Sequence, residues 1–150
     1  MKILFPIDDK TTVAEVVDYV RNRSFPEDTE IRLLSVIQPT EMMVPWSVVP
    51  VYPAEIYNEM NQSADRLLHS AMAELHALGL KNVTLETGFG PSVPAIVDEL
   101  KQFQPDLVVL GSHSRNWLEK VLVGSVAESV AEQAPCSVLV LKPSVATAKK

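Results

Sequence analysis

One cysteine, Cys136, is all the thiol that the 150-residue chain carries, so no intramolecular disulfide framework can form. No paired Cys or His residues stand at the spacing of a zinc site. Both absences fit a reducing interior. Nowhere does an apolar run approach the ~18 to 20 residues that span a bilayer. The opening MKILFPIDDK has a lysine and then a very short apolar run, broken by Pro6 and closed by Asp8 and Asp9, which lacks the long apolar region of a secretory leader. A soluble, cytoplasmic protein is the expectation. Clustered cations are missing too: the formal net charge is -6 and the Lys and Arg residues are scattered. That balance argues against long-range attraction to DNA, RNA or anionic membrane, which reward basic clusters. Only Arg115, Lys120 and the tail ATAKK bring cations near anything of interest, and the tail reads as solvated surface.

What is present is enough apolar material, 47% of the residues, to bury one core without disulfide or metal support. Short apolar runs alternate with amphipathic helical patterns, the order expected of an α/β domain with a mainly parallel sheet. KILFPID is the first strand, with Pro6 predicting a bulge or a strand end, because proline cannot donate to a ladder. Thr12 and Glu15 read as a capping box ahead of Val13, Val16, Val17 and Val20, which places a first helix there. The second strand is IRLLSVI, residues 31–37.

Next comes QPTEMMVPWSVVPVYPAE, whose four prolines block helix interior and sheet centre alike, so a long surface excursion is expected over 39–53. It suits a lid, a partner patch or simple cover for the core. A helix follows over 54–78, with Ile56, Met60, Ala64, Leu67, Leu68, Ala71 and Leu75 as its inward stripe and Gly79 as its stop. VTLET (83–87) is the third strand, GFGPSVP a turn, and 95–103 the third helix, carrying Ile96, Val97 and Leu100. DLVVLG (106–111) is the fourth strand. Ser125 and Glu128 read as a second capping box opening VAESVAEQA, and SVLVLK (137–142) is the fifth strand. One domain over 1–143 and a tail over 144–150 account for the chain.

In open α/β sheets ligands bind beyond the carboxyl ends of the strands, where strand order reverses. With the first and fourth strands adjacent, that crevice is lined by Pro6, Ile7 and Asp8 on one side and Leu110, Gly111, Ser112 and His113 on the other. The segment GSHSRNWLEKVLVGS (111–125) joins the fourth strand to the fourth helix, with Trp117, Leu118, Val121 and Leu122 at helical spacing. Gly111 allows close backbone approach, and Gly124 with Ser125 puts amides at a helix start, where the dipole favours an anion. Capping and turning alone would use the same residues.

The spacing Gly111, two residues, Ser114, nine residues, Gly124-Ser125 resembles the universal stress protein motif G-x2-G-x9-G-[S/T]. KILFPID, GFGPSVPAI, DLVVLGSHS and GSVAESVAEQAPCSVLVLKP extend the resemblance over nearly the whole chain. It implies a Rossmann-like sandwich of the adenine nucleotide alpha hydrolase type, a five-stranded parallel sheet of order 3-2-1-4-5 with helices on both faces, and a dimer. In nucleotide-binding members, adenine and ribose lie near the ends of the first two strands and the phosphates on the glycine motif. Carried over, the first contacts fall on Pro6, Ile7, Asp8 and Val36, with Asp8 accepting from a sugar hydroxyl; Leu110 lines the same crevice. The phosphate contacts fall on Gly111, His113, Ser114, Gly124, Ser125 and Val126. The implied ligand is ATP with Mg²⁺, or a related adenine nucleotide. Ser114 departs from the motif's second glycine and costs roughly 1 kcal/mol if that position needs a positive φ.

His113 has no second catalytic group at readable spacing, so enzyme status stays open and the reading leans away from catalysis, with weak ATP hydrolysis as its upper limit. His69 and His76 lack a third ligand and read as surface residues, and Cys136 reads as a small packed side chain. GFGPSV lacks a third glycine and has Pro91 where an amide would serve, so it is no dinucleotide site. A phosphoacceptor receiver domain would share Asp8, Asp9, Lys142 and Pro143, but needs an aspartate where VTLET ends in Thr87 and Gly88. Two functions remain: a nucleotide-binding stress regulator, or a scaffold of the same fold working through protein contacts. The strongly apolar fifth strand at a sheet edge predicts a homodimer built on 137–142.

Overall fold

The structure, a computed structural model, describes residues 1–38, 53–111 and 124–142. The excursion over 39–52, the motif positions Ser112, His113 and Ser114, the helical-spaced apolar residues after them and the tail lie outside the described residues. The elements run β1 (Lys2–Pro6), α1 (Lys10–Arg21), β2 (Glu30–Ile37), α2 (Ala54–Ala77), β3 (Asn82–Phe89), α3 (Ser92–Phe103), β4 (Leu107–Leu110), α4 (Ser125–Gln133) and β5 (Ser137–Val140). They form one parallel sheet in the order β3-β2-β1-β4-β5.

The central strands are apolar on both faces because both are covered. Ile3, Phe5, Ile31, Leu33 and Val109 pack under α1 and α2 with Val13, Val16, Val17, Leu68 and Leu75. Leu4, Leu34, Val108 and Leu110 point the other way, against Ile96, Leu100 and Val130 of α3 and α4. Each strand's period of two thus feeds two cores. Among the described residues one charge is buried on the second face, and it is paired: Arg32 Nη1 donates to Glu99 Oε1 at 2.6 Å, with the guanidinium 4.2 Å over the Phe103 ring.

Pro6 ends β1, and its missing N–H shapes the sheet. Ile7 N–H donates to Leu34 O of β2 at 2.8 Å, so the alternation of strand amides turns position 6 toward β4, where proline has nothing to give. Pairing of β1 with β4 accordingly covers only Ile3 with Leu107 and Leu4 with Val108, whereas β1 pairs with β2 from Lys2 to Pro6. A cleft opens between the two central strands beyond that point.

Both expected capping boxes are corrected. The cap of α1 is Asp9, whose carboxylate accepts from Thr12 N–H at 2.8 Å, so the cap lies three residues before the expected one and the helix begins at Lys10. The cap of α4 is Gly124, with Ser125 the first helical residue and no side-chain cap bond. Helix α3 starts at Ser92 rather than at 95, because Pro94 falls within its first turn, where a missing N–H costs nothing. Strand β3 runs on through Gly88 to Phe89, since Gly88 pairs with Val36 and Phe89 with Ile37.

Candidate nucleotide site

The cleft beyond β1 and β4 has a cavity volume of about 200 Å³. Pro6, Ile7, Asp8, Val36, Leu110, Gly111, Gly124, Ser125 and Val126 all line it, so every candidate residue that the structure describes comes to one place. His113 and Ser114 lie outside the described residues. Six further lining residues went unforeseen: Thr12, Leu34, Gln38, Ser92, Ile96 and Ala127. Leu34, Val36 and Ile96 make an apolar wall on the α3 side, suited to the face of a flat ring, while Gln38 donates its side-chain amide to the Ser92 hydroxyl at the rim. A wider hollow on the α2 side shares Asp8, Val36 and Gln38 with the cleft, so Asp8 stands at their junction.

The start of α4 has the form that suits an anion. Glu128 N–H donates to Gly124 O at 3.0 Å and closes the first helical turn, which leaves the amides of Ser125, Val126 and Ala127 without an intrahelical acceptor. A glycine cap has no side chain to take them. All three residues line the cleft, where the positive end of the helix dipole adds to the amides.

Opposite stands Asp8. Its Oδ1 accepts from Thr12 Oγ1 at 2.5 Å, and the same hydroxyl lies 3.1 Å from Asp9 Oδ1. Thr12 is 3% exposed and its methyl faces Gly111: a Cβ on that glycine would sit 2.9 Å from Thr12 Cγ2 and 2.7 Å from Glu15 Oε2. Thr12 escaped notice because Ser/Thr-x-x-Glu spacing reads as a cap. The signal was there in Asp9, an equally good cap three residues earlier. Away from the cleft, Cys136 is half-buried in the second core, and burial first, then the Asp106 carboxylate, push its thiol up against a Val108 backbone hydrogen bond that pulls it down. A thiol so disposed packs rather than reacts. No group of three or more His, Cys, Asp or Glu able to hold a metal occurs among the described residues.

A profile of the universal stress protein family matches residues 1–142. The chain belongs to the universal stress protein family. A relative in Staphylococcus aureus strain USA300, itself named as a universal stress protein, is 32% identical over 98 residues, which is 65% of this chain and 59% of that protein. The match thus spans under two thirds of that curated relative's length. Among solved structures, the hypothetical protein MJ0577 has a TM-score of 0.76 at 28% identity, over 95% of this chain and 96% of that one. An Arabidopsis thaliana universal stress protein family member with AMP bound has a TM-score of 0.66 at 18% identity, over 98% of this chain and 94% of that one. Two further universal stress proteins that share the fold were solved with cAMP and, from Archaeoglobus fulgidus, with dAMP.

Proposed function

We propose that the chain is a regulatory universal stress protein that binds an adenine nucleotide, ATP with Mg²⁺ foremost, in the cleft between β1 and β4. The observation that carries this is the start of α4, where the cap Gly124 makes no side-chain bond, with Ser125, Val126 and Ala127 on the cleft together with a carboxylate at Asp8. Adenine lies against Leu34, Val36 and Ile96, and the ribose lies by Asp8, whose carboxylate accepts a hydrogen bond from a sugar hydroxyl. The phosphates lie on the α4 amides and on Gly111, with His113 and Ser114 of the motif completing the loop. AMP, cAMP and dAMP in three proteins of this fold support the choice of base. Binding rather than turnover is the function, because phosphoryl transfer asks for a placed base and a metal-holding carboxylate, and Asp8 is the one described cleft carboxylate that could serve. The protein works as a cytoplasmic homodimer paired through 137–142, its output a nucleotide-biased surface.

Gly124→Asp tests the phosphate site without sacrificing the fold. An aspartate at a helix cap bonds the same amides that a phosphate needs, so α4 keeps its start while the anion meets a filled, negative site. Equilibrium dialysis with labelled ATP should show binding weakened at least about tenfold in this variant, the loss of one or more charge-assisted hydrogen bonds. Ser114→Gly should bind at least as well as the wild type. Unchanged binding by Gly124→Asp would remove the phosphates from α4, and binding by Ser114→Gly alone would mark a scaffold that has kept the cleft and lost its ligand.

A further inference from the structure

We propose that Thr12 is a positioning residue for sugar recognition: its hydroxyl fixes the Asp8 carboxylate in the orientation that selects a ribose over a sugar without hydroxyls. The inference rests on the nucleotide reading above and concerns a residue that the glycine motif does not contain. Asp8 lies just before the α1 cap, at the junction of two hollows. Thr12 restricts it. A threonine hydroxyl has one proton, and the 2.5 Å contact to Asp8 Oδ1 against 3.1 Å to Asp9 Oδ1 assigns that proton to Asp8. Asp9 is served instead by the Thr12 backbone N–H at 2.8 Å.

One residue therefore divides its two donors between two adjacent carboxylates. Its own freedom is small: Thr12 is in the first turn of α1, 3% exposed, and its Cγ2 is pressed toward Gly111 at the start of the phosphate loop. Set in the first helical turn and buried, the hydroxyl keeps its place and holds Asp8 Oδ1 with it. With Oδ1 engaged by Thr12, sugar hydroxyls meet a carboxylate whose plane is already set, which removes an ordering cost from binding.

The test compares AMP with 2′,3′-dideoxy-AMP on the full chain by calorimetry, in wild type, Thr12→Val and Thr12→Ser. Valine keeps the branched shape and removes the donor; serine keeps the donor and removes the methyl. Wild type should prefer AMP about tenfold, the factor carried by one hydrogen bond to a charged acceptor. Thr12→Val should bring that preference toward unity, and Thr12→Ser should retain it. A merely structural role would weaken both ligands equally and leave the ratio untouched, which would overturn the proposal. So would a wild-type ratio near unity, although AMP binding itself would then stand. No binding of either nucleotide by wild type would overturn the nucleotide reading and this role together. If thermal melting shows Thr12→Val unfolded, Thr12→Ala carries the same comparison.

Discussion

A Cβ built on Gly111 would lie 2.7 Å from Glu15 Oε2 and 2.9 Å from Thr12 Cγ2, while the positive-φ glycines among the described residues are Gly79 and Gly90. Gly111 is thus required for close approach to α1 rather than for a left-handed backbone. Thr12 is held by Asp8 and cannot yield cheaply. Gly111→Ala should destabilise the fold by about 1 to 2 kcal/mol, the usual cost of overpacking, seen as a lower urea midpoint with an unchanged slope. The same displacement of Thr12 should weaken nucleotide binding. At this scale the cleft was largely legible: Pro6, Asp8, Gly111 and Gly124 are residue types with narrow uses, and each is found at the cleft. Thr12 was not. Its spacing to Glu15 and to Asp9 permits two helix starts, and which hydroxyl partner wins depends on a rotamer and on the three-dimensional position of Asp8.

Between residues and fold, helix ends were the least readable feature, because several polar residues within a few positions can each cap. The C-terminus of α3 is instructive. Gln104 adopts φ 51 and ψ 58 and donates its N–H to Leu100 O, a left-handed cap filled by a side chain rather than by glycine. Gln104→Gly should stabilise the protein by about 0.5 to 1 kcal/mol, since glycine avoids the left-handed penalty and only part of that gain is lost to chain entropy; a thermal melt with no rise, or a fall, would contradict this. Helix bodies, in contrast, were plain in the pattern. Ala64, Leu68, Ala71 and Leu75 of α2 are buried where a stripe of period 3.6 puts them, although Ile56, Met60 and Leu67 of the same stripe are only half-buried. Their shortfall is at the helix's first turns and the edge of its footprint, which periodicity alone does not mark.

For the whole molecule, strand order follows from burial: β1 and β4 are apolar on both faces and sit inside the sheet, while β5 is an edge. Val138, Leu139, Val140 and Leu141 remain half-buried in the single chain, and an apolar edge invites a second copy. Sedimentation or light scattering should return twice the chain mass at micromolar concentration, and a monomer would contradict pairing through this edge. No helix among the described residues is long and apolar enough to cross a membrane. Binding of an adenine nucleotide by this fold is tested by isothermal titration of nucleotide-stripped protein with ATP and Mg²⁺. Saturable heat at one nucleotide per chain, with micromolar affinity, is the predicted result. No heat from the correctly folded protein at millimolar ATP would contradict it, and would leave the cleft as scaffold.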